Sequence, residues 1–268
     1  MIRIALVISD VDGTLLTTDK TLTDASRTAV ARLHTAGIGF TIISSRPTIG
    51  MRFLIEPLGI KLPVGAFNGS SIVDASMKVI EQHLIPASAV QRSLALFDEY
   101  DLDVWLFTNE HWFAKDGNGQ YVPNEKRAIR ADPTVITDLT PYVSRACKLV
   151  GSSPDFALLE RCEREAQNIL GKQATAIRSQ SYYLDITPPG QNKGTFVQAM
   201  ARRLGLPTGA VATIGDMHND VAMFETSGLS FAMGNATDDV KKFAKRVTAT
   251  NEDDGFAKAV NVILSENG

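Results

Sequence analysis

The run Ile4-Ala5-Leu6-Val7-Ile8 is followed by Ser9 and then by Asp10-Val11-Asp12-Gly13-Thr14, which puts two carboxylates two residues apart directly behind an apolar strand. Successive side chains on an extended strand alternate faces, so Asp10 and Asp12 leave the sheet pointing the same way. Gly13 lets the backbone turn sharply there. A continuous apolar run is the pattern of a parallel strand buried on both faces, and open α/β sheets bind their ligands at the carboxyl ends of such strands. Alone, the Asp turn is equally readable as a solvated turn bonding its own backbone. It is not a calcium loop of the EF-hand kind, because Thr14, Leu15 and Thr21 stand where that loop needs Asp or Asn, glycine and glutamate.

The same rhythm recurs along the chain. Thr23-Asp24 opens a helical pattern with Ala25, Ala29, Val30 and Leu33 on one face and Gly37 at its end. A second apolar run over 38–43 ends in Ser44-Ser45-Arg46, with Pro47 suited to the first turn of another helix. Residues 64–67 meet the turn dipeptide Asn68-Gly69 and lead into Ile72-Val73, which predicts a hairpin in the core sheet. From about 83 to 187 the pattern becomes α+β, with helices near 90–100 and 156–170 and alternating segments such as 104–107. Pro86 and Pro188-Pro189-Gly190 read as linkers at its two edges. The βα rhythm then resumes: a helix over 194–204, a strand over 211–214, a short helix over 221–226 and a strand over 229–233. The expected organisation is a discontinuous α/β core, 1–84 with 188–268, carrying an inserted α+β domain at 85–187.

Composition narrows the partners. A chain of 268 residues with 44% hydrophobic content can bury one large core or two modest ones. A net charge of −3 from interspersed acids and bases gives no polyanion-binding face, so nucleic acid is not expected. Lys241-Lys242 with Lys245-Arg246 reads as the solvated side of a helix. No run reaches membrane-spanning length, and the first apolar run is too short for a signal-peptide core, so a cytoplasmic location is expected. Cys147 and Cys162 form no metal-spacing pair, and with four scattered histidines a zinc site is not expected either.

Three further places resemble the Asp turn in setting polar residues at the ends of buried elements. They are Gly215-Asp216-Met217-His218-Asn219-Asp220 behind the third strand, Ser44 behind the second, and Asn192-Lys193-Gly194 at a helix start. A phosphoryl group in transfer needs a cation for its oxygens, donors to orient them and acid-base help for the leaving oxygen. Each residue also has an ordinary reading: Lys193 as a surface lysine, Ser44 and Asn219 as helix caps.

Taken together these motifs resemble the haloacid dehalogenase (HAD) superfamily of phosphatases, and within it the Cof-like subgroup (type IIB), whose large cap is inserted after the second motif. Phe231-Ala232-Met233-Gly234-Asn235-Ala236 also matches that subgroup. The resemblance implies a Rossmann-like parallel-sheet core with the inserted α+β domain as a mobile cap. It implies that Asp10 is the nucleophile and forms an aspartyl-phosphate, and that Asp12 is the acid and then the base. Mg²⁺ would be held by Asp10, the backbone carbonyl of Asp12 and Asp216, with Asn219 and Asp220 in support. Ser44 would bind a phosphoryl oxygen, Lys193 would offset charge, and the amides of Val11 and Gly13 would face the phosphate. Members of the subgroup usually carry Thr-Gly-Arg where this chain has Ser44-Ser45-Arg46. Ser45, Arg46, Asn68, Gly69 and Asn235 are cavity-lining candidates, the last three equally readable as turn residues; His218 is expected to be exposed beside the site.

The resemblance implies a Mg²⁺-dependent phosphomonoester hydrolase acting on small phosphorylated metabolites, sugar phosphates by default and cofactor phosphates such as pyridoxal phosphate alternatively. A phosphomutase shares both aspartates, and a non-catalytic phospho-ligand-binding protein of the same fold is the rival from another class. A nucleotide-binding loop is excluded, since Gly190-Gln191-Asn192-Lys193 lacks the second glycine such a loop needs. Cap candidates for substrate choice are Trp105, His111, Trp112, Lys115, Arg127, Arg178, Tyr182 and Tyr183.

Overall fold

The computed structural model describes residues 3–268 and divides into two compact units. One comprises Met1–Ser45, Arg52–Ile80 and Asn192–Gly268, the other Arg46–Met51 and Glu81–Gln191.

The first unit starts with β1 (Leu6–Ser9), every residue of which is buried, and α1 (Asp24–Thr35), whose first turn is capped by the Thr23 side chain accepting from the Ser26 amide. Next come β2 (Gly39–Ile42), a short helix α2 (Arg52–Ile55), and the strands β3 (Val64–Ala66), β4 (Ser71–Val73) and β5 (Val79–Gln82). The hairpin expected at Asn68-Gly69 forms, but as part of a separate sheet of order β3-β4-β5. A parallel bridge between Ile43 and Gly65 links it to the chain just past β2. Phe67 and Asn68 sit in the left-handed region, at φ 51° and 56°, so the turn is a bent 3₁₀ segment rather than a two-residue loop.

The second unit is built on α3 (Ala87–Glu99), β6 (Asp103–Phe107), β7 (Trp112–Ala114), α4 (Val122–Ile129), β8 (Thr134–Val135), β9 (Lys148–Ser152), α5 (Phe156–Leu170), β10 (Thr175–Gln180) and β11 (Tyr183–Thr187). Its sheet runs β10-β11-β9-β6-β7-β8 and is antiparallel except between β7 and β8. Period-two alternation decides its two faces. Val104, Leu106, Leu149, Leu184 and Ile186 join Val90, Phe97, Leu159, Cys162 and Ala166 of α3 and α5 in one apolar cluster. Trp105 and Phe107 project from the opposite face, where Trp105 meets Trp112 and Tyr183 edge-on at ring-centroid distances of 5.6 and 5.1 Å. Cys147 and Cys162 are buried as small core residues and are not joined in a disulfide.

The chain then returns to the first unit with α6 (Lys193–Leu204), β12 (Val211–Gly215), α7 (Val221–Thr226), β13 (Leu229–Ala232), α8 (Asp238–Lys241), β14 (Arg246–Val247) and α9 (Gly255–Asn267). The five-stranded sheet is wholly parallel, in the order β14-β13-β12-β1-β2. From β1 the chain winds outward through β2 on one side, and from β12 through β13 and β14 on the other. The carboxyl ends of β1 and β12 therefore flank a topological switch point, where open α/β sheets hold their ligands. Lys245 and Arg246 do not continue the α8 helix as the sequence suggested. Lys245 instead donates to the carbonyls of Ser227 and Gly228, and Arg246 lies in β14 paired with Glu266. Among the described residues no helix is long and apolar enough to cross a membrane.

The start of α6 is placed by a close approach. A Cβ on Gly194 would lie 2.5 Å from the Ala222 carbonyl oxygen of α7. Gly194→Ala should therefore push α6 off α7 and lower stability by about 1–3 kcal/mol in a urea titration; an unchanged midpoint would show that the two helices have slack.

Candidate active site

Asp10 follows β1 directly, and its amide donates to the Ile214 carbonyl of β12 at 2.9 Å. Asp216 follows β12, so parallel pairing of Ser9 with Ile214 brings both carboxylates off adjacent strand ends. Asp10, Asp216 and Asp220 each offer a carboxylate oxygen within 4.8 Å of the others, and their residues are 5%, 6% and 0% exposed. Lys193, 1% exposed at the start of α6, reaches Asp10 Oδ1 at 2.5 Å and Asp220 Oδ1 at 2.6 Å. The Asn192 side chain caps that helix by accepting from the amides of Gly194 and Thr195, which fixes where the lysine stem starts.

The two other Asp220 contacts define its part. Its Oδ2 accepts from the amides of Asp216 and Met217, both at 2.9 Å. With Lys193 on the remaining oxygen, Asp220 is occupied as a brace and Asp10 and Asp216 are left facing the shared space. Asp216 is steadied by Thr14, whose hydroxyl donates to Oδ1 at 2.7 Å, and by Asn235 Nδ2, 3.4 Å from Oδ2. The Asn235 amide also donates to the Gly13 carbonyl at 2.9 Å, and its own oxygen accepts from the Asn251 amide at 3.0 Å. Gly13 is required twice over: its φ is +78°, and a Cβ there would collide with the Asp216 carboxylate.

Asp12 lies beside this cluster and is partly exposed, and Lys20 Nζ reaches its Oδ1 at 2.8 Å. Ser44 is buried just past β2, its amide donating to the Gly65 carbonyl and its carbonyl accepting from the Asn68 amide. Asn68 in turn accepts from Asn219 Nδ2 at 3.1 Å, so the exposed Asn219, one residue before the buried Asp220, has its side chain on the hairpin turn. Gly69 is buried in that turn, and Val11 is buried with its carbonyl capping the amides of Leu15 and Leu16. His218 is exposed and paired with Asp239. Ser45 is partly buried at the end of the first unit, whereas Arg46 falls in the second, where its guanidinium donates to the carbonyls of Gly50 and Ala128.

The cap candidates are distributed within the second unit. Trp105, Trp112 and Tyr183 are packed as sheet core, Tyr182 stacks on Tyr121, Arg178 pairs with Glu163 and Lys115 with Asp98, while His111 and Arg127 are exposed. On the same sheet face Lys148 and Asp185 form a salt bridge at 2.6 Å, and Asp103 Oδ1, Trp112 Nε1, Ser152 Oγ and Asp185 Oδ1 are buried with no hydrogen-bond partner.

Thr14, Lys20 and Asn251 were not singled out from the sequence. Thr14 carried a usable signal, a hydroxyl two residues past Asp12. Nothing local marks Lys20 or Asn251, whose partners depend on how loops close.

The electrostatics follow from burial. Removal from water is the largest influence on Asp10 and pushes its carboxyl well above the usual range; Lys193 opposes this, and Asp220 and Asp216 add to it. Asp216 is pushed up to about 6, first by burial and then by Asp220, against the Thr14 hydrogen bond. Burial lowers the Lys193 pKa, but Asp10 and Asp220 outweigh it and hold the ammonium charged. Three buried carboxylates against one lysine leave uncompensated negative charge, and an all-oxygen donor set of this kind suits a hard divalent cation.

Residues 7–260 match the family described as haloacid dehalogenase-like hydrolase, and the chain belongs to that family. It is 27% identical over 260 residues to the 5-amino-6-(5-phospho-D-ribitylamino)uracil phosphatase YcsE of Bacillus subtilis, covering 97% of this chain and 95% of that one. It is 25% identical over 265 residues to the pyridoxal phosphate phosphatase YbhA of Escherichia coli, with 95% and 97% covered. A haloacid dehalogenase-like hydrolase from Bacteroides thetaiotaomicron superposes with a TM-score of 0.91 at 26% identity, over 97% of this chain and 100% of that one. A second solved structure, described as a subclass IIB sugar phosphatase, shares the fold with a TM-score of 0.81 at 21% identity, over 96% of this chain and 98% of that one.

The raised pKa values have a consequence for stability. Between the open-chain and folded pKa values the native state binds more protons, so without a cation stability falls as pH rises through about 6. A divalent cation must displace those protons. For a divalent cation held through Asp216, the gain in melting temperature on adding it should therefore shrink as pH falls through about 6; a gain independent of pH would argue against Asp216 as a ligand.

Proposed function

We propose that this chain is a Mg²⁺-dependent phosphomonoester hydrolase acting on small phosphorylated metabolites. The observation that carries the reading is Asp10 at a strand end, buried between the Lys193 ammonium and the carboxylate of Asp216. In this reading Asp10 attacks phosphorus, forming an aspartyl O–P bond as the ester P–O bond breaks. Asp12 gives its proton to the departing alcohol oxygen. Asp12 then takes a proton from water, whose oxygen attacks phosphorus, releases inorganic phosphate and restores the Asp10 carboxylate. Lys193 keeps one Asp10 oxygen oriented and charge-balanced throughout. Ser44 and the amides of Val11 and Gly13 are assigned to the phosphoryl oxygens.

Asp10, the backbone carbonyl of Asp12 and Asp216 would hold Mg²⁺, with Asp220 and Asn219 as outer support. When bound, the ion supplies positive charge that favours the ionised Asp10 and offsets the phosphoryl oxygens. Substrate choice is assigned to the second unit. The names of the two phosphatase relatives, one for a ribityl phosphate and one for pyridoxal phosphate, support a small phosphorylated metabolite.

A phosphate-release screen over a panel of phosphomonoesters, with and without Mg²⁺, tests the reading; release of phosphate at the rate of substrate loss separates a phosphatase from a mutase. Asp10→Asn should remove nearly all turnover with the fold intact, and near-wild-type activity would contradict the nucleophile assignment. Asp216→Ala should raise the Mg²⁺ concentration needed for half-maximal activity at least about tenfold. An unchanged requirement would strike Asp216 from the ligand set.

A further inference from the structure

Lys20 has no part in the chemistry described so far, yet its backbone and its side chain are both placed with care. It sits in a tight loop closed by three hydrogen bonds: the Thr17 amide to the Thr21 carbonyl, the Lys20 amide to the Thr17 carbonyl, and the Thr21 amide to the Thr17 hydroxyl, at 3.0, 3.0 and 3.1 Å. The loop is also anchored from outside, because the Thr18 amide donates to Glu252 Oε1 at 2.7 Å. Within it Lys20 adopts φ +66°, a left-handed conformation that glycine or asparagine takes at far less cost. From that position its Nζ meets Asp12 Oδ1 at 2.8 Å.

Fold stability does not account for this. Both side chains are about a third exposed, 34% for Lys20 and 30% for Asp12, and ion pairs so open to water contribute little. A strained backbone persists where the surroundings over-determine it, and such residues gather where chemistry is done. The loop also returns to the Asp turn through the bridge between Asp12 and Leu16, so the lysine and the aspartate it meets belong to one short, braced stretch of chain.

We propose that Lys20 is a positioning residue acting through Asp12: its ammonium holds one oxygen of that carboxylate, so that proton exchange with the leaving oxygen, and then with water, takes place from a single orientation. The inference rests on the phosphatase reading above and deepens it. Lys20 itself touches no reacting atom in this scheme. It differs from a lysine that binds the phosphate directly, because its effect must depend on how much the leaving oxygen needs a proton.

That dependence is the test. The value of kcat/KM covers the steps up to departure of the leaving group. An alkyl alkoxide needs a proton to leave, whereas 4-nitrophenolate leaves without one. With saturating Mg²⁺, Lys20→Met should lower kcat/KM on an alkyl phosphate by about tenfold or more and leave 4-nitrophenyl phosphate near wild type. Lys20→Arg, which keeps the charge, should recover most of the alkyl activity. Lys20→Gly relieves the backbone, so it should melt no lower than wild type while showing the same alkyl deficit as Lys20→Met. An equal loss on both substrates would overturn the inference in favour of a phosphate-binding or purely structural lysine, and unchanged alkyl activity would overturn it outright. Wild-type protein inert towards both esters would sink the phosphatase reading itself, and this inference with it.

Discussion

The Lys193 ammonium, buried between Asp10 and Asp220, is the interaction on which the arrangement of the site depends. Three carboxylates withdrawn from water repel one another, and one lysine cannot neutralise them. A buried ion pair is weak evidence for stability, since apolar side chains of similar volume often serve a fold as well. What this cluster supplies is a set of oxygens kept close together at a strand end, short of positive charge. The neighbouring details serve that end. Gly194 lets the lysine-bearing helix close on α7, Gly13 leaves room for the Asp216 carboxylate, and Asp220 gives both of its oxygens to N–H donors so that Asp216 is held from behind.

Thr14 and Asn235 extend the same logic outward. Each donates to an oxygen of Asp216, and Asn235 ties the Asp turn to the loop before α9 through Gly13 and Asn251. Hydrogen bonds to a carboxylate favour its ionised form, whereas burial opposes it. Burial prevails at Asp216, which lies within reach of a proton near neutrality. Positive charge is thus what the geometry is short of, and the three aspartates are close enough together to share a metal ion that would supply it.

Much of this was legible in the sequence, for physical reasons. Strands buried on both faces leave continuous apolar runs, so β1, β2, β12 and β13 and the polar residues behind them could be picked out without coordinates. The α6 start followed from Asn192-Lys193-Gly194 and α5 from helical periodicity, and the structure adds the Asp155 side chain as the cap of α5. Features set by loop closure were not legible. The hairpin at Asn68 forms its own small sheet, tied to the chain beyond β2 by the Ile43–Gly65 bridge and by the Ser44 carbonyl accepting from the Asn68 amide, and Lys245 leaves its expected helix to donate to two carbonyls far along the chain. The hydrogen bond from Asn219 to Asn68 joins two residues 151 positions apart, a pairing that no local pattern announces. Lys20 is illegible for a related reason: a lysine in a polar loop has no periodic signature, and its backbone conformation and its partner are what distinguish it.

The placement of the second unit between β2 and β12 bears on how the protein is born. On a ribosome, the first strand emerges early and can pair with β2, but its other edge stays open until β12 has been synthesised, after the whole intervening unit. An apolar strand with an unpaired edge invites association with other chains, so the interval is one of exposure to misassembly. A translation product cut short within the insert would carry Asp10 without Asp216, Asp220 or Lys193, and would lack the charged cluster altogether.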